Sequence, residues 1–200
     1  MAKSEIKKKP SFMDRFKAFV EEFKDESDRA AVILGAAKVD SLLAQVLDSH
    51  FLPALGSSDE LLEGDSPLST FSSRINISYR LGLINADFAK SLNLPRRIRN
   101  SFAHEVSGVS LESGPHADRV TSLLLPLRKL PFFNYFRDTF IGGSSASNDF
   151  RACVALMAGR LEARLEHTDQ LPSKEAWSFH TKAWADFKND DNDAADASAT

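Results

Sequence analysis

Apolar residues recur at helical spacing along most of the chain, and that pattern predicts the elements. Phe12, Phe16, Phe19, Val20 and Phe23 follow Pro10 and Ser11 and form one face of an amphipathic helix, with the aromatic stripe facing the core. Ser27 can cap a second helix bearing Ala30, Ile33, Leu34, Ala37, Leu42, Val46 and Leu47, which ends before Pro53. Gly35, Ala36 and Ala37 on it would let a neighbouring helix approach closely. Residues 53–66 read as a loop rich in Gly, Ser and acid. Ser66 and Pro67 then give a helix start, a capping hydroxyl followed by a ring that fixes φ, with Leu68, Phe71 and Ile75 as its stripe and Gly82 as its stop.

Asn85 can cap the next helix, with Phe88 and Leu92. Pro95 breaks that pattern and can restart it; Ile98 and Phe102 then point inward while Asn100 and His104 share another face. Gly108, Gly114 and Pro115 predict a loop, and a short helix runs from Ala117 to Leu125. The aromatic run from Phe132 to Phe136 is expected to pack over the core, with an exposed groove as the alternative. A Gly-Ser link leads to a long helix that starts at Ser147 or Asn148 and carries Phe150, Val154, Met157, Leu161 and Leu165 on one face. Trp177 and Trp184 fall in a final short helix. No segment shows sustained two-residue alternation, and no internal repeat is found. The fold class expected is all-α, five to seven helices in a compact bundle.

Composition adjusts this picture modestly. With 42% hydrophobic residues in 200, the chain can bury one substantial core. A formal net charge of −3 argues against a protein that coats nucleic acid through bulk positive charge. The charge is uneven: Lys3, Lys7, Lys8 and Lys9 open the chain, and Asp186, Asp190, Asp191, Asp193 and Asp196 close it. We therefore divide it into a basic flexible tail over 1–10, one helical domain over 11–185 and an acidic disordered tail over 186–200. The single cysteine, Cys153, excludes an intrachain disulfide framework and a Cys-based zinc cluster, and its apolar surroundings predict a buried thiol. No run reaches the ~20 apolar residues of a membrane span. The N-terminal lysines are not followed by the apolar core of a secretory signal. A cytoplasmic location and no membrane contact are expected.

The usual catalytic signatures are missing: no phosphate-binding GxxxxGK[ST] loop, no GxSxG elbow, no HExxH. His50, His104, His116, His167 and His180 are scattered, so neither a metal site nor a cofactor is expected. The one dense group of useful side chains is Arg99, Asn100 and His104. A histidine moves protons near neutral pH and an arginine can hold a phosphate, so together they could cleave RNA through its 2′-hydroxyl without a metal. Spacing tempers this. Asn100 and His104 are neighbours on a helix surface, but Arg99 and His104, five positions apart, lie about 140° apart around an ideal helix. They meet only if the helix ends near His104 or a second subunit supplies a partner. The simpler alternative pairs Arg99 with an acid and uses His104 at the helix C-terminus, where positive charge is favoured. Arg96, Arg97 and Arg99, with Lys90, form a local basic cluster able to contact phosphates.

Two resemblances attach to these residues. The stretch Leu61–Ile84 resembles the signature of the mannitol operon repressor family, through Gly64, Asp65, Pro67, Leu68, Ser73, Arg74, Tyr79, Leu81, Gly82 and Ile84, and the likeness extends over roughly residues 27–125. It implies an all-helical bacterial transcriptional regulator, a repressor without a helix-turn-helix, acting on mannitol uptake through protein or nucleic-acid contacts. Gly64, Asp65, Pro67, Ser73, Arg74 and Gly82 would be its structural motif. The segment Arg99–His104 is similar to the Arg-x4-His motif of HEPN-type helical domains. That implies, as an alternative, a metal-independent ribonuclease of toxin or defence type formed across a dimer. A homodimer is expected on either reading, with a protein partner, DNA or RNA as further candidates. Pro126–Thr200 lies outside both resemblances.

Overall fold

A computed structural model describes residues 10–105 and 108–172 and is all-helical over them, with seven α-helices. They are α1 (Phe12–Phe23), α2 (Asp28–His50), α3 (Phe71–Arg80), α4 (Ala86–His104), α5 (Gly114–Leu124), α6 (Pro131–Phe136) and α7 (Ala146–Glu166). A wide π-type turn, Arg137–Ile141, extends α6 and closes with Gly142 N–H donating to the Arg137 carbonyl at 3.1 Å. The basic and acidic ends of the chain and the helix expected around Trp177 and Trp184 lie outside the described residues.

Helix α7 is the centre of the bundle, packed by α1, α2, α5 and the π-type turn. Its buried residues run nearly all the way round: Phe150, Ala152, Cys153, Val154, Ala155, Met157, Ala158 and Leu161. Burial pushes the Cys153 thiol far above its ordinary range. Small residues set how closely the neighbours come. A Cβ on Gly35 of α2 would sit 2.8 Å from Val154 Cγ1 and 2.9 Å from Phe23 Cζ, so α1, α2 and α7 meet around that missing side chain. Gly159 of α7 faces Phe16 of α1 in the same way, at 3.0 Å.

Two buried charges fix the ends of α7. Glu162 accepts from Arg15 Nε of α1 at 2.8 Å and from Lys38 Nζ of α2 at 2.9 Å. Arg151 donates to the Glu26 carbonyl and, at 3.3 Å, to Asp28 Oδ1. Buried ions are stable only when paired in this way.

Several boundaries follow the sequence cues. Ser11 caps α1 in a reciprocal box with Asp14, and Ser27 and Asn85 accept from Ala30 and Phe88 N–H at the starts of α2 and α4. Gly82, at φ +71°, turns the chain out of α3.

Others differ. The expected start at Ser66–Pro67 is wrong: α3 begins at Phe71, capped by Thr70. The Ser66 hydroxyl instead donates to the Leu61 carbonyl at 2.6 Å, and Arg74 Nε takes the Leu68 carbonyl at 2.8 Å, so that carbonyl is spent on a side chain rather than on a helical ladder. Pro95 does not break α4. It lies on the buried stripe Leu92, Pro95, Ile98, Phe102, and its neighbours anchor both halves of the helix to the same core. Helix α5 starts at Gly114 rather than Ala117, because Pro115 falls in the first turn, where its missing N–H has no partner to lose.

Helix α7 starts at Ala146, one residue before Ser147, and is capped by Ser145. The Glu112 carboxylate adds a second cap, accepting from Ala146 N–H at 3.2 Å and Ser147 N–H at 2.9 Å. These hydrogen bonds, that of Ser147 N–H foremost, hold Glu112 below the usual carboxylate range. On α2, Ile33, Leu34 and Ala37 face outward, while Ala31, Val32, Gly35, Ala36 and Val39 face inward. Helix α2 holds no unbroken run of ~20 apolar residues, yet it qualifies the reading drawn from that. It is long and apolar enough to cross a membrane by length and composition, with a mean hydropathy of 1.6 over its most apolar window, and half of that window is buried inside the bundle.

The close approach at Gly35 yields a first prediction. Ala is the better helix former by about 1 kcal/mol, but overpacking of a filled contact costs about 1–3 kcal/mol. Gly35→Ala should lower the urea midpoint. An unchanged or raised midpoint would mean that α2 and α7 can separate freely.

Candidate functional site

Arg74 is the most heavily engaged side chain of the Leu61–Ile84 stretch. From α3 it donates to Asp40 Oδ1 of α2 at 2.9 Å, to the Leu68 carbonyl at 2.8 Å and to the Leu62 carbonyl at 3.3 Å. One guanidinium thus ties the 61–68 turn to two helices. Gly64, at φ +60°, shapes that turn, while Asp65 and Pro67 are exposed on it. Ser73 exchanges hydrogen bonds with Thr70 at the start of α3. The acid that Arg74 meets is Asp40; Asp65 is not its partner.

The second group sits on α4. Asn100 and His104 are exposed, Arg99 is half-buried, and no hydrogen bond or ion pair holds the three side chains among the described residues. The helix continues regularly to His104, so Arg99 stays about 140° round from it by helical geometry. Within one chain the fold brings Asn100 and His104 to one face and leaves Arg99 on another. The C-terminal carbonyls of α4 are served by Arg29 of α2, which donates to the Phe102 carbonyl at 2.8 Å and the Glu105 carbonyl at 2.6 Å. Arg97 is exposed, and Arg96 Nε donates to Asn93 Oδ1 at 3.0 Å. Behind this tip His116 is buried, edge-on to Phe102, with Nε2 at 3.6 Å from Glu105 Oε1. No group of three or more metal-ligating side chains occurs among the described residues.

The third feature is a surface trough of about 610 Å³ between α1, the start of α4, the α5–α6 connection and α7. Its walls are mainly apolar, among them Met13, Phe16, Phe88, Leu130, Phe132 and Met157, and Asn85, Asp87, Ser91 and Arg160 add polar groups. Met13, Leu130 and Phe132 remain 49%, 48% and 56% exposed. The aromatic run expected to cover the core does so only in part. Phe133 and Phe136 are buried, whereas Phe132 and Tyr135 face outward, because a six-residue helix presents two faces. The trough continues past Asn85, Phe88, Arg160 and Ala163 into a smaller hollow of about 450 Å³ lined by Leu83, Ile84, Leu161, Arg164 and His167. Sequence reading offered an exposed groove at the Phe132–Phe136 run only as the lesser alternative, and it did not place the other walls. A further local signal was Met13, apolar but off the core-facing stripe of α1.

The chain is similar in fold to the X-ray structure of the MtlR–HPr complex from Escherichia coli. The TM-score is 0.51 at 17% identity, over 78% of this chain and 99% of that chain. The likeness holds for the fold: an all-helical, MtlR-like bundle, as the Leu61–Ile84 resemblance implied. No protein-family profile matches the sequence. No curated protein matches it either.

The Arg74 network gives a second prediction. Removing it leaves a half-buried Asp40 carboxylate unpaired and two carbonyls without their donor. Arg74→Ala should therefore cost about 2–4 kcal/mol in chemical denaturation. Arg74→Lys should recover only part of this, since an ammonium cannot match the three-way fork. Parent-like stability of Arg74→Ala would remove Arg74 from the structural role.

Proposed function

We propose that this chain is a helical regulator that works by binding another protein. The observation that carries the reading is the open apolar trough, since exposed apolar side chains gathered in one concave place mark an interaction site. Two likenesses support it. The solved structure of similar fold is of a complex between MtlR and a second protein, HPr. The Leu61–Ile84 stretch resembles the mannitol operon repressor family, so the regulated process is transcription of a sugar-uptake operon. Control runs through protein contact, without a helix-turn-helix.

The first partner to test is the HPr protein of the same cell, by titration calorimetry against the full chain. A stoichiometric complex is expected. Phe132→Asp should weaken it by about 30-fold or more, the effect of removing a central apolar anchor. No complex, or one indifferent to Phe132→Asp, counts against the reading.

A second reading rests on the exposed, unengaged Asn100 and His104 one turn apart on α4. Here the chain is a metal-independent ribonuclease assembled across a homodimer. His104 moves the proton, Arg99 of one copy holds the phosphate facing the other, and Arg96 and Arg97 contact the flanking backbone. Two exposed apolar residues of α2, Ile33 and Leu34, supply a surface for the pairing. Labelled RNA should be cleaved in the presence of a chelator, His104→Ala should cut the rate by ~10²–10⁴, and the chain should sediment as a dimer. Cleavage that survives His104→Ala, or a monomer that cleaves, removes this mechanism.

A further inference from the structure

The trough and its smaller extension have different chemistry, and the difference defines an occupant. The trough is lined mainly by apolar side chains, with Asn85, Asp87 and Ser91 of α4 and Arg160 of α7 at its polar side; the Asp87 carboxylate lies 3.5 Å from Lys90 Nζ. The extension is cationic: Arg160 and Arg164, one turn apart on α7, share it with His167, and no carboxylate lines it. Both arginines have hydrogen-bonding capacity to spare. Arg160 is exposed and, among the described residues, makes no hydrogen bond or ion pair. Arg164 has one long contact, to the His167 carbonyl at 3.5 Å, and its Nε is buried without a partner. Two like charges at this spacing repel, so an acidic ligand that bridges them relieves a cost the free protein carries.

From this we infer that the trough takes an amphipathic, acidic helical segment of a partner protein. Its apolar side fills the space beside Met13, Leu130 and Phe132, and its carboxylates at one end pair with Arg160 and Arg164. The apolar trough supplies affinity, and the two guanidiniums fix the direction of the segment and reject basic sequences. This inference rests on the protein-binding reading and names the chemistry of the partner.

The test uses the full chain and a fluorescein-labelled synthetic helix of about 18 residues, ~27 Å long. It carries Leu and Phe at helical spacing and Glu elsewhere, and its control has Lys in place of each Glu. Fluorescence anisotropy should show binding of the Glu peptide, weakened by added salt, and at least ~10-fold poorer binding of the Lys peptide. Arg160→Glu, at an exposed position that leaves the core untouched, should narrow or reverse that preference. A photocrosslinking residue in place of Phe132 should capture the Glu peptide. Equal binding of the two peptides, or indifference to Arg160→Glu, overturns the proposal. So does capture of this chain's own residues 173–200, or of a second copy, at position 132. If the peptide fails while HPr still binds in a Phe132-dependent manner, only this inference falls. If neither binds, the protein-binding reading falls with it.

Discussion

The bundle depends on fitting one helix, α7, into a slot between α1, α2 and α5. A helix enclosed on that many sides cannot use bulky residues throughout. It alternates Ala152, Ala155, Ala158 and Gly159 with Phe150, Val154, Met157 and Leu161. The slot is cut to match by Gly35 on α2. Apolar contact by itself does not choose a register for such a helix, since sliding it would exchange one small residue for another. The ion pairs at its ends do: Arg151 meets Asp28 beside the first turn of α2, and Glu162 meets Arg15 and Lys38 further on. A slip of one turn would leave both charges buried and alone, at several kcal/mol each. With α7 in register, the positions of the α4 tip and of the trough follow, since α4 packs on α2 and α5, and the trough is walled partly by α7.

What was legible in the sequence was local. Ser11, Ser27, Asn85 and Gly82 act on backbone groups within four residues of themselves, and the structure has them in those roles. What was illegible was decided by distant groups. Glu112 caps a helix that begins 34 residues later, and its role cannot be inferred from its neighbours. Ser66 and Pro67 look like a helix start, yet Arg74 and Leu61 claim the polar groups that a helix there would need. The outward turn of Ile33 and Leu34 was hidden because α2 is apolar nearly all round, so periodicity could not tell its inner face from its outer one.

The same division runs through the candidate sites. The inward pair Ile98 and Phe102 and the outward pair Asn100 and His104 follow from helical spacing alone. The trough does not, because its walls come from α1, α4, the α5–α6 connection and α7, and none of these segments looks unusual by itself. Arg160 and Arg164 were indistinguishable in sequence from solvated helix charges; the hollow they share with His167, which no carboxylate lines, sets them apart.

The first turn of α2 has a consequence of its own. Asp28 and Arg29 are adjacent, yet they serve opposite poles of two different helices. Asp28 receives the Ser147 hydroxyl and Arg151 near the positive start of α7, as well as Leu111 N–H. Arg29 grips the carbonyls at the negative finish of α4. Two neighbouring residues thus form a mechanical joint between the tip that bears His104 and the entry of the central helix. Moving that tip relative to α7 would therefore have to stretch or break hydrogen bonds made by two adjacent residues of a single helical turn.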